Sequence, residues 1–215
     1  MNSITDVIKQ YCPNGVEEAS FGEVASYIRG ITYNKNQEAK PTDEHVHKVL
    51  RANNITLYLN TLNFDDVKLV KKEVKVKPEQ ELKKGDILIC AGSGSKEHVG
   101  KVAYIANNMD FTFGGFMAVI RPTRGLNNRY LFHVLVSRLF SEYLATNLSS
   151  TTINNLNSGL MNGFRFPLPP LPVQNEIVNI LDSLTELQEN LQHELDARKK
   201  QYNYYSEKLL TFDTI

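Results

Sequence analysis

Apolar and polar positions change their spacing several times along this chain, and each change marks a different kind of element. Residues 3–11 have helical spacing and stop at Cys12-Pro13-Asn14-Gly15, a turn sequence. From Ala19 to about Asn108 the period shortens towards two. ITLYLN (55–60), VKLVKKEVKV (67–76), DILICA (86–91) and KVAYIA (101–106) carry alternating or β-branched apolar residues and predict strands. FTFGGFMAVIRP (111–122) predicts another strand, interrupted at Gly114-Gly115 by a bulge or a close backbone approach. Residues 127–147 return to helical spacing through Leu131, Leu135, Leu139, Tyr143 and Leu144. The polar loop SSTTINNLNSG then leads into GFRFPLPPLP, whose prolines Pro167, Pro169, Pro170 and Pro172 stiffen the chain into an extended connector.

Beyond that connector, residues 173–212 contain neither proline nor glycine. Apolar or long side chains recur at Val173, Ile177, Ile180, Leu184, Leu187, Leu191, Leu195, Arg198, Tyr202, Tyr205, Leu209 and Phe212. Steps of three and four alternate, with one stutter between Leu191 and Leu195, which predicts a long helix with a coiled-coil seam. At about 1.5 Å per residue such a helix is roughly 60 Å long, and its apolar stripe calls for a partner helix. The fold class expected is α+β: a globular mixed α/β domain with a twisted β-sheet over residues 1–165, a proline-rich connector at 166–172, and one long C-terminal helix at 173–212.

The loop GSGSKEHVGK (92–101) between two of the predicted strands has the look of a nucleotide site, but its spacing argues otherwise. Gly94 and Gly100 enclose five residues where a P-loop has four, and Val102 stands where a hydroxyl would hold magnesium. Gly92-Ser93-Gly94 is not completed by a third glycine as in a dinucleotide fingerprint, and a strand follows where both motifs open a helix.

Charge alters the picture by its distribution. The chain is neutral overall, yet residues 1–172 carry 20 Lys/Arg against 16 Asp/Glu, and residues 173–215 carry four against eight. Arg121, Arg124, Arg129, Arg138 and Arg165 fall in a segment whose one acid is Glu142. A basic body with an acidic tail is a plausible DNA-facing design. Cys12 and Cys90 form no CxxC or Cys/His cluster and are expected to be reduced in a cytoplasmic protein. No apolar run approaches the roughly 18 residues that span a bilayer, so no membrane role is expected.

GFRFPLPPLPVQNEIVNILDSLTELQENLQHELDARKKQYNYYSEKLLTF resembles the conserved region of specificity subunits of type I restriction-modification systems. Lys199, Lys200, Gln201, Tyr202, Tyr204, Tyr205, Lys208, Leu209 and Leu210 match the family's helix-end signature. YCPNGVEEASFGEVASYIRG, LRANNI and GDILICAGSGSKEHVGKVAYI resemble blocks of its target-recognition domain. The usual subunit has two recognition domains and two such helices; this chain has one of each and resembles a half-subunit. The resemblance implies binding to double-stranded DNA and docking of methyltransferase subunits. It also implies contact with restriction subunits through the complex, and a homodimer through Val173, Ile177, Ile180, Leu184, Leu187, Leu191, Leu195, Tyr202, Tyr205 and Leu209. Catalysis belongs in this family to other subunits, so S-adenosylmethionine, Mg and ATP are implied for the partners and no cofactor or metal for this chain.

Under that resemblance the glycine-rich loop becomes a phosphate contact, through the backbone of Gly92, Ser93 and Gly94 with Lys96 and Lys101. Base readers in the major groove need Arg for guanine and Asn or Gln for adenine. The candidates are Arg29, Arg51, Asn53, Asn54, Thr151, Thr152, Asn154 and Asn155. Two alternative functions remain at this point. One is a coiled-coil scaffold indifferent to DNA. The other is a stand-alone metal-dependent nuclease built on Asp66 and the trio Glu73-Val74-Lys75. His45-Val46-His47 pairs two imidazoles without a third ligand and reads as surface histidine.

Overall fold

The computed structural model describes residues 4–57, 59–123, 125–148 and 155–212, with only the backbone at Lys96. The chain divides into two compact units, Met1–Glu176 and Ile177–Ile215. The first opens with α1 (Ile4–Tyr11), β1 (Glu18–Ser20), α2 (Phe21–Val24) and β2 (Ala25–Arg29). It continues with β3 (Val46–Leu50), β4 (Lys68–Lys71), β5 (Ile87–Cys90), β6 (Val102–Tyr104), β7 (Thr112–Phe113) and β8 (Met117–Pro122). The helices α3 (Asn128–Val136), α4 (Arg138–Leu148) and α5 (Ser158–Asn162) follow, then β9 (Arg165–Pro167) and α6 (Leu171–Leu210).

The first unit is the mixed α/β domain expected, and its described strands form three sheets. The largest has the order β2-β8-β5-β6 and is antiparallel throughout; β4-β3-β7 is mixed, and β1 pairs with β9. The central strand β5 reads ILIC without alternation because all four residues are fully buried. Leu88 and Cys90 face a core shared with Leu50 and Phe113 from the second sheet, beside Val119 and Met117. The opposite face of the sheet carries Tyr104, whose ring meets Phe132 of α3 edge-on at 5.9 Å. Helices therefore cover one face of the main sheet and a second sheet the other.

Three predicted elements come out shorter or broken, each for a local reason. Among its described residues ITLYLN makes no strand: Ile55 and Leu62 form a single bridge, Thr56 and Thr61 bond to each other, and Asn60 turns the chain at φ 53°. VKLVKKEVKV stops pairing at Lys71, where the amide of Val74 donates back to the Lys71 carbonyl and Val74 joins Ile31, Val49 and Val70 in a small core. The helix expected over 127–147 splits into α3 and α4 at Ser137, whose hydroxyl and amide both donate to the Val134 carbonyl. His45 takes φ 58° before β3, outside the strand that would pair it with His47.

The long helix begins two residues before the expected Val173. Pro172 sits in its first turn, where a missing N–H costs nothing, while Val173 and Gln174 donate to the Pro170 carbonyl. That turn belongs to the first unit: Gln174 is fully buried, donates to the carbonyls of Gly125 and Pro169, and accepts from the Asn127 amide. Among the described residues no helix is long and apolar enough to cross a membrane.

Candidate nucleic-acid interface

A cleft of about 890 Å³ opens in the first unit between residues 31–33, the turn at 51–53, the loop after β5 and the turn between β7 and β8. It is the place where the structure gathers the predicted contacts, since Arg51, Asn53, Gly92, Ser93 and Gly94 all line it. Tyr33, His98 and the exposed ring of Phe116 join them on its walls. Burial pushes the Tyr33 phenol above its ordinary range.

The turn that carries Arg51 and Asn53 is fixed from beneath. Asn54 is fully buried; its Oδ1 accepts from the Arg51 amide at 2.8 Å, and its Nδ2 donates to the carbonyls of Asn63 and Asp66. Lys101 reaches the same turn from β6's leading edge, donating from Nζ to the carbonyls of Ala52 at 3.1 Å and Ile55 at 2.7 Å. Burial lowers the Lys101 pKa below the usual lysine value. On the outer side, Asp66 Oδ2 accepts from Arg51 Nη2 at 2.6 Å and from Asn53 Nδ2 at 3.1 Å. One carboxylate oxygen thereby orients a guanidinium and an amide together.

The facing wall is equally constrained. Gly114 donates to the Leu50 carbonyl, Arg29 Nη2 donates to Gly115 O at 2.7 Å, and Phe116 O accepts from the amides of Ala91 and Gly92. The loop after β5 is anchored at Gly100, whose φ of +87° suits glycine and where a side chain would collide with Leu144. Among the described residues two buried nitrogens lack hydrogen-bond partners, Arg51 Nε and His98 Nδ1. Both belong to residues lining this cleft.

Several predicted contacts are spent on structure instead. Asn54 and Lys101 face inward, so neither is available as base reader or phosphate contact. Arg29 bridges Gly115 O, Leu156 O and Asn155 Oδ1. Gly92 gives its N–H to Phe116 O and pairs in a bridge with Asn155, so its amide is not free for phosphate. The Ser93 hydroxyl accepts from the Ser95 amide at 3.2 Å, whereas Gly94 has open space on its side-chain side. Lys96 lies in a 3-10 turn at Lys96–His98. Thr151, Thr152 and Asn154 lie outside the described residues.

The basic stretch is also largely committed. Arg121 grips Asp86 at 2.7 and 2.8 Å and donates to the carbonyls of Glu79 and Glu81. Arg138 pairs with Glu142, Arg165 with Glu18, and Arg129 stacks over the rings of Tyr104 and Phe132. Arg124 lies outside the described residues. Sequence reasoning missed Asp66 as an orienting group and Phe116 altogether; the latter's one signal is an aromatic directly after a Gly-Gly pair.

Along α6 the predicted seam divides. Val173 is 2% exposed within the first unit and drops out of it, and Ile177 is half-buried. Leu184, Leu187, Leu191 and Leu195 are 47–58% exposed, and Tyr202, Tyr205 and Leu209 are exposed too. The seam sequence thus leaves an apolar ridge on the second unit.

Comparison with known proteins gives consistent matches. The family model for the type I restriction modification DNA specificity domain matches residues 13–197. The type I restriction enzyme EcoKI specificity subunit of Escherichia coli (strain K12) is 32% identical over 175 residues, covering 80% of this chain and 36% of its own. The StySPI specificity subunit of Salmonella potsdam is 31% identical over the same coverage. The chain therefore spans about a third of the length of these relatives. The crystal structure of the HsdS subunit from Thermoanaerobacter tengcongensis superposes with a TM-score of 0.63 at 18% identity, covering 90% of this chain and 48% of that one.

Proposed function

The chain belongs to the type I restriction modification DNA specificity domain family, and from that membership we propose that it recognises a short duplex DNA sequence for a type I restriction-modification complex. The reading is carried by one observation: the family match runs over residues 13–197, across both the cleft-bearing unit and much of the long helix. The first unit reads one half of a bipartite target, and the helix docks methyltransferase subunits. Through them the chain joins the restriction subunits in the cytoplasm. It is non-catalytic by itself, and the partner subunits hold S-adenosylmethionine, Mg and ATP.

A second copy of the chain completes the bipartite reader through α6. The exposed leucine ridge supports this, and so does the charge order along the helix. Glu176, Asp182, Glu186, Glu189, Glu194 and Asp196 precede Arg198, Lys199, Lys200 and Lys208, with Glu207 the one acid among the latter. In an antiparallel pair each acidic stretch lies beside the partner's basic stretch, which favours that orientation. Exchanging residues 1–165 for those of a relative tests the central claim. The methylated DNA motif of cells carrying the chain and its methyltransferase subunits should change with the exchange. A motif that stays the same would leave the helix as a scaffold and remove DNA reading from the first unit.

A further inference from the structure

Asp66 and Phe116 do things that stability does not explain. The Asp66 side chain is 71% exposed, and exposed ion pairs contribute little to stability. Yet it holds both Arg51 and Asn53 by the same oxygen, and the arrangement leaves Arg51 Nε buried without a partner among the described residues. Phe116 is 73% exposed on a turn whose carbonyls at 114, 115 and 116 all accept hydrogen bonds, so the backbone beneath the ring is fixed. A phenyl presented to water on a rigid turn, facing an oriented guanidinium and amide across a cleft, is arranged for a ligand with both apolar and hydrogen-bonding edges.

The major groove of DNA has such edges. Guanine offers O6 and N7 to a guanidinium, adenine offers N6 and N7 to an amide, and thymine adds a methyl group that accepts only apolar contact. Building on the DNA-recognition reading above, we infer that this cleft reads base edges in the major groove, with Asp66 positioning Arg51 and Asn53 and Phe116 contacting a thymine methyl. Asp66 acts through its two neighbours and touches no base itself.

The assembled complex provides the test. Its methylated motif is first read by sequencing DNA from cells that express it. Binding is then measured to duplexes in which each thymine of the motif is replaced in turn by deoxyuridine, which lacks only the methyl. Burying one methyl is worth about 0.8 kcal/mol, so deoxyuridine at one position should weaken binding by about fourfold. Phe116→Ala should erase that difference at the same position. Asp66→Asn should relax base preference at the positions read by Arg51 and Asn53, so that the ratio of binding to the motif over binding to singly changed motifs falls there and stays as it was at the other positions. If Phe116→Ala keeps the unmodified thymine-to-deoxyuridine ratio everywhere, or Asp66→Asn keeps full base preference, the assignment of this cleft is wrong. If those variants behave as wild type while exchange of residues 1–165 still changes the motif, the cleft is excluded and DNA reading stands. If the unmodified complex shows no sequence preference at all, both readings fail together.

Discussion

Replacing Lys101 by methionine keeps most of the side-chain volume and removes the ammonium, which separates two roles for this lysine. As a clamp it donates at 2.7 Å to Ile55 O and 3.1 Å to Ala52 O, beneath the turn that presents Arg51 and Asn53. Hydrogen bonds from a charged donor contribute about 1.5–3 kcal/mol each, so the gross loss is roughly 3–6 kcal/mol. Part of this is offset. Desolvation disfavours the buried ammonium, as its lowered pKa records, and Ala52 O keeps its bond from the Ile55 amide. The net loss expected is about 2–3 kcal/mol, which lowers the melting temperature of a unit of this size by roughly 4–12 °C. Stability of the two proteins should also diverge with pH. Because the folded pKa lies below the unfolded value of 10.5, the native state releases its proton first, and the wild type gains stability relative to the variant as pH rises towards 10.5. The salt dependence of DNA binding supplies the discriminating measurement. A lost phosphate contact makes log K against log salt shallower by about 0.9, whereas loss of a clamp leaves the slope as it was. A shallower slope with unchanged stability would refute the clamp.

Tyr130 donates to Pro167 O and burial pushes its phenol up to about 12, so the native state holds a proton that the unfolded chain releases near 10. Its contribution is complete below pH 10 and is lost as pH rises through 12, worth about 2–3 kcal/mol in total; chemical denaturation across that window should show a decline that Tyr130→Phe flattens. Arg121→Ala strands the Asp86 carboxylate, whose side chain is 5% exposed, and should cost about 3–5 kcal/mol in urea unfolding; a loss below about 1 kcal/mol would mean that the pair is effectively solvated. Leu187→Asp with Leu191→Asp should convert the proposed dimer to monomer in sedimentation, and a wild-type chain that sediments as a monomer would overturn the dimer outright.

What sequence alone revealed depended on how local the deciding interactions are. The span of α6 was legible because an uninterrupted run of spacing three and four needs no distant partner to be recognised. Its start lies two residues ahead of the expected Val173, because Pro172 falls in the first turn, where a missing N–H is tolerated. β5, β6 and β8 were legible from their apolar runs and from the glycines bounding them. ITLYLN was not, because Leu57 and Leu59 alternate like a strand while Asn60 and the Thr56–Thr61 pair turn the chain before it finds a partner. The number of sheets was invisible for the same reason: β3 pairs with β7, a long way along the chain, and no periodicity reports such a contact.

The site residues make the limit sharper, because residue type was legible and role was not. Asn53 and Asn54 are adjacent and chemically identical, yet one lines the cleft while the other is sealed beneath it. What separates them is a 3-10 turn at Ala52–Asn54 that sends successive side chains in different directions, held by Lys101 arriving from a distant strand. Arg29 and Arg51 divide in the same way. Arg29 lies beside the carbonyls of Gly115 and Leu156, and its guanidinium satisfies both; Arg51 meets Asp66 at the surface and remains on the cleft wall. Arg29 and Lys101 thus give their charge to backbone carbonyls that hold the turns around the cleft, whereas Arg51 and Asn53, held by Asp66, keep their side chains in its lining; under the proposed reading it is these two that meet bases.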